Sequence, residues 1–560
     1  MAGRPRDVKA AGRLVRIPTD PGFNEAAPPF MSATADEGFA FSSMGDPRLR
    51  VIIVGTGFAG LSAAIACARQ QFNVTVLERS SGLSPHGDSI IFGSNASVLL
   101  HRWGVGEEMA ARSSMGGWWL LKDQAGTPLL DEEIGVFSKT FGAPLLQGRR
   151  AQFLGSLGTE ARLLGVNIKL EAEVTSYWDS DDQPAVVLRT GEVIRGDVII
   201  VADGIQSVSR RLLASQGRPA APARPSGYSI HRAAIPSAAL QADPRCNLLD
   251  GNIRTWLGPD AHAAIYPMDS GHQVAFVRAL LVERPAPRTD SPSSQTFTHA
   301  DPADVASTDW RAKHKIDDIL SHFEGWDPTL QAALGHFSSC LNWKIFDETP
   351  AADWINLLHR RLAPRALGAA SRSFRCSALL PRARATRAPA QPSLTWLSPG
   401  SAPPRRHRQP TSFQGGSQAV EDGATVALCL ALAGGDTRGV PLALETYEAL
   451  RRPRVHEAQG IGRTQRDLWH AYTSLAASSP SKPPAMLRPL TFRLYGFDAE
   501  RYALRHFEAC ARAIERGFEL DERAREEAAR RAGLDLDKAA GGSSGRRGVG
   551  CAGNKEHTAV

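Results

Sequence analysis

The sequence holds little cysteine, and what it has is scattered. Seven cysteines stand at positions 67, 246, 340, 376, 429, 510 and 551 of 560 residues. None forms a C-x-x-C pair, and none sits beside paired histidines at zinc-finger spacing. An odd, dispersed set argues against a disulfide framework and for a reducing compartment, so a cytoplasmic location is the expectation. Long apolar runs are lacking too: none approaches the roughly 20 residues that span a bilayer. The first sixteen residues carry Arg4, Arg6, Lys9, Arg13 and Arg16, but no apolar signal core follows. A floppy extension is expected there, with a mitochondrial presequence as the alternative. The sequence has no Walker loop and no H-E-x-x-H, and its one G-x-S-x-G match, GGSSG at 541–545, lies in a Gly/Ser tail with no strand pattern before it. Hydrolase, phosphate-loop and zinc-protease chemistry therefore lack a motif.

Negative charge is missing from one stretch in particular. Between His359 and Pro410 there is no Asp, Glu or Lys, against eleven Arg. That stretch contributes +11 to a net charge of +7. The rest of the chain has 54 basic and 58 acidic residues, a net of −4. The basic character is therefore local, and does not describe a distributed nucleic-acid-binding face. An arginine tract without interleaved aromatics or a recognisable fold motif is weak support for nucleic-acid binding, and no nucleic-acid partner is expected.

What is present is ordinary for a globular chain: 42% hydrophobic and 22% charged residues. The length allows two or more domains and a sizeable core. Residues 1–48 are rich in Gly, Pro, Ala and Ser and read as disordered. Residues 49–225 alternate strand and helix patterns, as in a doubly wound α/β domain. Residues 226–355 carry the strand-like runs YSIHRAAI, AAIYPM and QVAFVRALLV, with a helical stretch near 314–335. Residues 356–411 are irregular. Helical periodicity returns over 412–535, and 536–560 read as a tail.

The most informative stretch is RVIIVGTGFAGLSAAIACARQQFNVTVLER, residues 50–79. A continuous β-branched run is what a buried parallel strand requires. Gly55, Gly57 and Gly60 follow at G-x-G-x-x-G spacing, then an Ala-rich helix and a second strand ending at Glu78. The glycines suit a tight turn, backbone approach to a pyrophosphate, and close helix–strand packing. The helix N-terminus offers free N–H groups to phosphates. Glu78 falls where an acid accepts hydrogen bonds from a ribose. An acid at that point suits an unphosphorylated adenosine ribose, hence FAD or NAD rather than NADP. A glycine turn kept for packing alone would leave the acid unexplained.

Three further segments narrow the choice: SIIFGSNASVLLHRWGVGEEM at 89–109, QGRRAQFLGSLGTEARLLGV at 147–166 and GDVIIVADGIQSVSRRLL at 196–213. With the glycine loop they resemble single-component FAD-dependent aromatic hydroxylases, of the salicylate hydroxylase and para-hydroxybenzoate hydroxylase type, fungal members above all. The resemblance covers roughly 49–356 and 413–511 and includes LYGFDAE at 494–500. It implies a Rossmann-type FAD-binding domain with an inserted α+β substrate domain and C-terminal helices. It implies that Asp203, Gly204, Ser207 and Arg210 form the element that contacts FAD and assists NAD(P)H. Arg150, rather than its neighbour Arg149, then reaches the flavin pyrophosphate, where a guanidinium suits the charge. Ser89 is placed at a backbone contact to FAD. Arg232 and Tyr266 become the candidate active-site residues. The plainer readings are an arginine at a strand edge and a tyrosine whose hydroxyl is satisfied within a sheet. The chemistry implied is NAD(P)H reduction of FAD, addition of O2 to give a C4a-hydroperoxyflavin, and hydroxylation of an aromatic substrate in a site that excludes water.

A second FAD motif of that family is only half present. Pro410, Gln414 and Gly415 fit its P-x-x-x-Q-G element, and AVEDGATVALCLALAG fits the helix that follows Gly416. Its Gly-Asp pair is absent from 330–415, and residues 356–411 show neither strand nor helix periodicity. Three readings stay open. The segment is translated out of frame or from retained intron, or it is a genuine insertion with another group in place of the Asp, or the chain is a degenerate homologue that no longer turns over. Asn95-Ala96-Ser97 matches a glycosylation triplet that a cytosolic protein would never use. Substrate identity and oligomeric state are not legible in the sequence.

Overall fold

The computed structural model describes residues 48–83, 89–113, 117–179, 184–204, 224–259, 261–281, 313–315, 320–347, 355–356, 376–379, 414–478 and 493–534. Strands are numbered along the chain: β1 (Arg50–Val54), β2 (Asn73–Leu77), β3 (Ser89–Phe92), β4 (Trp118–Asp123), β5 (Pro128–Glu133), β6 (Leu146–Arg149) and β7 (Asn167–Lys169). Then come β8 (Val174–Asp179), β9 (Pro184–Leu188), β10 (Val193–Arg195), β11 (Val198–Val201), β12 (Arg224–Pro236), β13 (Ile253–Gly258) and β14 (Ala261–Met268). The last are β15 (Gln273–Leu281), β16 (Lys313–Lys315), β17 (Ser339–Asp347), β18 (Ile355–Asn356) and β19 (Cys376–Leu379). The helices are α1 (Phe58–Arg69), α2 (Ser94–Arg102), α3 (Gly106–Ala111), α4 (Phe137–Phe141), α5 (Arg150–Leu163) and α6 (Ala238–Gln241). They continue as α7 (Pro328–Leu334), α8 (Gln414–Leu432), α9 (Val440–Ser478), α10 (Ala499–Ile514) and α11 (Glu522–Ala532).

The two β-branched runs of the sequence pair with each other. β1 and β11 lie side by side and parallel, Val51 opposite Val198 through Val54 opposite Val201. They sit inside a six-stranded sheet of order β18-β19-β11-β1-β2-β7. Both strands are buried on both faces, which is why their sequence is continuously apolar rather than alternating. The structure departs from the sequence pattern at the next strand. Residues 356–411 carry no strand pattern, yet Cys376–Leu379 form a strand parallel to β11. A four-residue strand between neighbours needs no alternation, so periodicity could not find it.

Helix α1 is short-chained because it is crowded. Ala63, Ala64, Ile65 and Cys67 are buried, and α8 crosses them closely. A Cβ on Gly423 of α8 would lie 2.5 Å from the Ala63 amide nitrogen, so only glycine permits this crossing. The main apolar core gathers α1, α2, α8, α9 and α10 around this contact. Each fully buried Leu or Ile there contributes about 1.5–3 kcal/mol relative to exposure.

The second large sheet has eight strands in the order β16-β17-β12-β15-β14-β13-β4-β5. The three apolar runs recognised in the sequence are β12, β14 and β15. Two strands from before residue 225, β4 and β5, complete the sheet. Of the helical stretch expected near 314–335, the described residues form strand β16 at 313–315, a 3-10 turn at Ser321–Phe323 and α7 at Pro328–Leu334, while 316–319 lie outside the described residues. Alternation along β14 sorts its residues to two faces. Ala264, Tyr266 and Met268 face α9 and Tyr495, whereas Ala263 and Ile265 face α7. Arg232 of β12 pairs with Val277, which packs on the Tyr266 side. Arg232 and Tyr266 therefore share the face turned towards α9.

Candidate active site

The first glycine turn is built by close approach. Gly55 has φ +104°, and a Cβ there would stand 2.7 Å from the Ala202 carbonyl oxygen. A Cβ on Gly60 would collide with the Gly55 carbonyl oxygen. Those two glycines hold β1, α1 and the end of β11 together. Gly57 differs: a Cβ there would meet nothing within 4 Å. It is the N-cap of α1 and contributes no side-chain hydrogen bond to the helix start. An uncapped helix N-terminus beside open space is a cradle for an anion.

Glu78 closes this half of the site. Its Oε2 accepts from the Thr56 amide at 3.0 Å and from the Thr56 hydroxyl at 2.6 Å. Its Oε1 accepts from the Ser80 amide at 2.9 Å. Burial pushes the carboxyl up, but these donors outweigh it and hold the group below its ordinary value. The acid braces the glycine loop, and a carboxylate with about four lone-pair sites keeps capacity for one more donor. Asp203 and Gly204 follow β11 directly, and the Asp203 Cα lies against the position a Gly55 Cβ would take, at 3.3 Å. Gly204 has φ +83°, a turn that glycine accommodates without strain. Ser207 and Arg210 lie outside the described residues.

The short ribbon β3–β6 carries the next residues. Ser89 pairs with Arg149 and Ile91 with Gln147, so all four point to one side. Arg149 is exposed, while the Arg150 guanidinium lies over the Phe58 ring at 4.7 Å, at the start of α1. The Ser89 hydroxyl and the Tyr266 hydroxyl are 2.6 Å apart, both residues buried. Arg232 donates from its terminal guanidinium nitrogen to the Ser89 carbonyl oxygen at 3.3 Å. The sequence points to these three residues separately; in the fold Ser89 joins the other two. Gln147 carries no signal in the sequence. It is fully buried and donates its amide to the Pro267 carbonyl, which fixes which way the amide points.

Helix α8 brings the second glycine element to the same ribbon. A Cβ on Gly416 would lie 2.7 Å from Ile90 Cδ1 and 2.8 Å from Phe92. Gly415 faces open space, like Gly57. Behind them runs a buried polar network that no sequence motif announces. Asn95 donates to Gln414 Oε1 at 3.0 Å and to Glu421 Oε1 at 2.5 Å. Arg451 donates to Glu421 at 2.6 Å, Asp422 at 2.8 Å and Gln418 at 2.8 Å. Arg454 donates to Glu421 and to the Leu494 carbonyl. Burial pushes Glu421 up, and the two arginines outweigh it and hold it down. Asp422, with one arginine partner and Glu421 beside it, is pushed up to about 7 by burial. Asn95, a sequon by its triplet, is a buried partner in this network.

These residues fit an FAD molecule in what they offer: an uncapped helix start, two open glycine positions, an acid at the end of β2 and a guanidinium beside α1. The chain resembles known proteins in sequence and in fold. The model of the NAD(P)-binding Rossmann-like domain family matches residues 53–105. The chain is 28% identical over 500 residues to the FAD-dependent monooxygenase okaB of Penicillium ochrochloron, covering 85% of this chain and 94% of that one. Its fold is similar to that of a salicylate hydroxylase substrate complex, with TM-score 0.62 at 21% identity, covering 83% of this chain and 98% of that one. It is similar too to CtdE in complex with FAD and substrate, with TM-score 0.63 at 20% identity, covering 83% and 100%.

Proposed function

We propose that this chain, an FAD-dependent monooxygenase like the relative it matches along most of its length, hydroxylates an aromatic substrate at the expense of NAD(P)H and O2. The observation that carries the reading is the double contact of one four-residue strand. β3 meets the glycine start of α8 through Ile90 and Phe92, and meets Tyr266 and Arg232 through Ser89. A cofactor element and a substrate-sheet element thus share a wall.

When bound, FAD supplies hydride acceptance from NAD(P)H and activation of O2. The protein supplies position and charge. Gly55, Gly57 and Gly60 shape a turn at the α1 N-terminus that would hold the pyrophosphate, with Arg150 alongside. Glu78 would accept from the adenosine ribose, and Asp203 and Gly204, after β11, would flank the cofactor beside Gly55. The α8 start at Gly415 and Gly416 would hold the ring end of the cofactor, a helix N-terminus being suited to negative charge. Arg232 favours a phenolate-like form of the substrate. The Tyr266 hydroxyl, held by Ser89, orients it. The apolar walls from β14 and Tyr495 exclude water.

The test is a visible spectrum of the purified chain, followed by NAD(P)H oxidation with a panel of phenols and aromatic acids. Near one FAD per chain and phenol-stimulated oxidation are expected. Failure to retain flavin even after reconstitution with excess FAD would sink the proposal. A second reading rests on the absence of a Gly-Asp pair from 330–415: a dinucleotide-binding homologue without turnover. It is favoured if flavin is bound but no substrate stimulates NAD(P)H oxidation. Sequencing the transcript across codons 356–412 separates an out-of-frame segment from a genuine insertion.

A further inference from the structure

On the face of the eight-stranded sheet turned away from the candidate active site, three side chains of different ligand type converge. Asp243 lies just beyond α6, in a turn closed by the Cys246 amide donating to the Asp243 carbonyl at 2.9 Å. Such a turn puts the side chains of its first and fourth residues near one another. His336 follows α7, some ninety residues later, and its Nε2 stands 2.9 Å from Asp243 Oδ2. The carboxylate oxygen, the Cys246 sulfur and the His336 nitrogen all lie within 4.8 Å of one another. Cys246 is 4% exposed, and its neighbours Leu240, Leu248 and Phe337 form the apolar floor. The His336 side chain is 28% exposed and leaves a way in from solvent.

We propose that Asp243, Cys246 and His336 form a binding site for a zinc-class divalent cation, with water in the fourth position. A sulfur, an imidazole nitrogen and one carboxylate oxygen suit a borderline-soft tetrahedral ion; magnesium and calcium want oxygen ligands alone. Binding breaks the Cys246 S–H bond, forms a sulfur–metal bond and releases that proton to the buffer. His336 binds as neutral imidazole. The cation ties the α6–β13 loop to the end of α7, and so braces the outer layer of the sheet.

The competing account is an ion-pair cluster, with Cys246 as a packing residue. Arg245 donates to Asp243 at 2.9 Å and 2.6 Å, with its own side chain 72% exposed. In that account Arg245 stabilises Asp243; in the metal-site account it competes for Asp243 and swings into solvent.

The experiment is calorimetric titration of the full chain, stripped with chelator, using Zn2+ in two buffers of different ionisation enthalpy, with Co2+ as the optical probe. One Zn2+ per chain is expected, with release of about one proton and a thiolate-to-cobalt charge-transfer band. Cys246→Ser abolishes the band, and either Cys246→Ser or His336→Gln weakens Zn2+ binding by at least about 100-fold, the upper end of what losing an outer-shell partner costs. Arg245→Gln tightens it. Absence of a stoichiometric site in the wild-type chain, or a site undiminished in the Ser or Gln variants, would overturn the proposal. Unchanged or weaker binding in Arg245→Gln would remove Asp243 from the ligand set.

Discussion

The two glycine elements of this molecule reach similar ends by opposite means. The turn at Gly55–Gly60 is mainly a local object, with one distant contact at Ala202. Its strand, helix and bracing acid lie within thirty residues, and Glu78 reaches back across 22 positions to Thr56. The helix start at Gln414, Gly415 and Gly416 is held from afar: Asn95 reaches it across 319 positions, and Arg451 and Arg454 pin Glu421 from another helix. Local geometry needs glycine and one carboxylate. Distant geometry needs a network in which every buried charge has a partner, because an unpartnered one is costly in a low-dielectric interior.

That contrast can be broken most severely at Glu421. Glu421→Ala leaves two buried guanidinium groups without their shared carboxylate, and should cost about 3–5 kcal/mol in urea unfolding. An equally stable variant would mean that the network is ornamental. At the local element the expected loss is smaller. Gly60→Ala forces the turn open against the Gly55 carbonyl, and should cost about 1–3 kcal/mol while weakening FAD binding measured by flavin fluorescence.

A third test concerns pH. The folded Asp422 has its pKa raised to about 7 from the ordinary 3.8, so the folded state binds the extra proton. Its contribution is therefore favourable at low pH and is lost as pH rises between about 4 and about 7. Asp422→Asn should remove that slope, seen as a wild-type-minus-variant difference in unfolding free energy that changes across this window and flattens above it. A difference independent of pH would refute the assignment. The smallest effect is expected at an ion pair on the edge of the parallel sheet, beside the bracing acid, where the Glu78 amide donates to the Lys169 carbonyl at 2.9 Å. The Lys169–Glu192 pair is largely solvated, and Glu192→Gln should change stability by no more than about 0.5 kcal/mol. A larger effect would mean that the edge of the parallel sheet matters more to the first turn than its exposure suggests.

Much of the first element was legible in the sequence. Gly55, Gly57, Gly60 and Glu78 fall within one β-α-β unit, whose apolar runs and glycine spacing are local patterns. Asp203 and Gly204 were legible for the same reason, as the end of a buried run. Arg232 and Tyr266 stand out by resemblance, but a common partner in Ser89 is not foreseeable, since it lies 143 and 177 positions away. Gln147, Arg451 and Arg454 carry no signal, and Asn95 carries only that of a glycosylation triplet: an amide or arginine on an amphipathic helix or short strand looks the same whether it faces water or a buried acid. His336 is of this kind too, since nothing in its sequence neighbourhood points to Asp243.

The sequence by itself determined the parallel β-α-β unit, its dinucleotide-type turn and three of the strands of the eight-stranded sheet. These follow from hydrophobic periodicity and backbone permissiveness, which act over a few residues. The tertiary structure alone decided that β3 would touch both glycine helix and tyrosine, that Glu421 would gather two arginines, and that Asp243 and Cys246 would meet His336. Those outcomes depend on which sheet face each residue takes and how helices cross, and both are settled when the whole core packs at once.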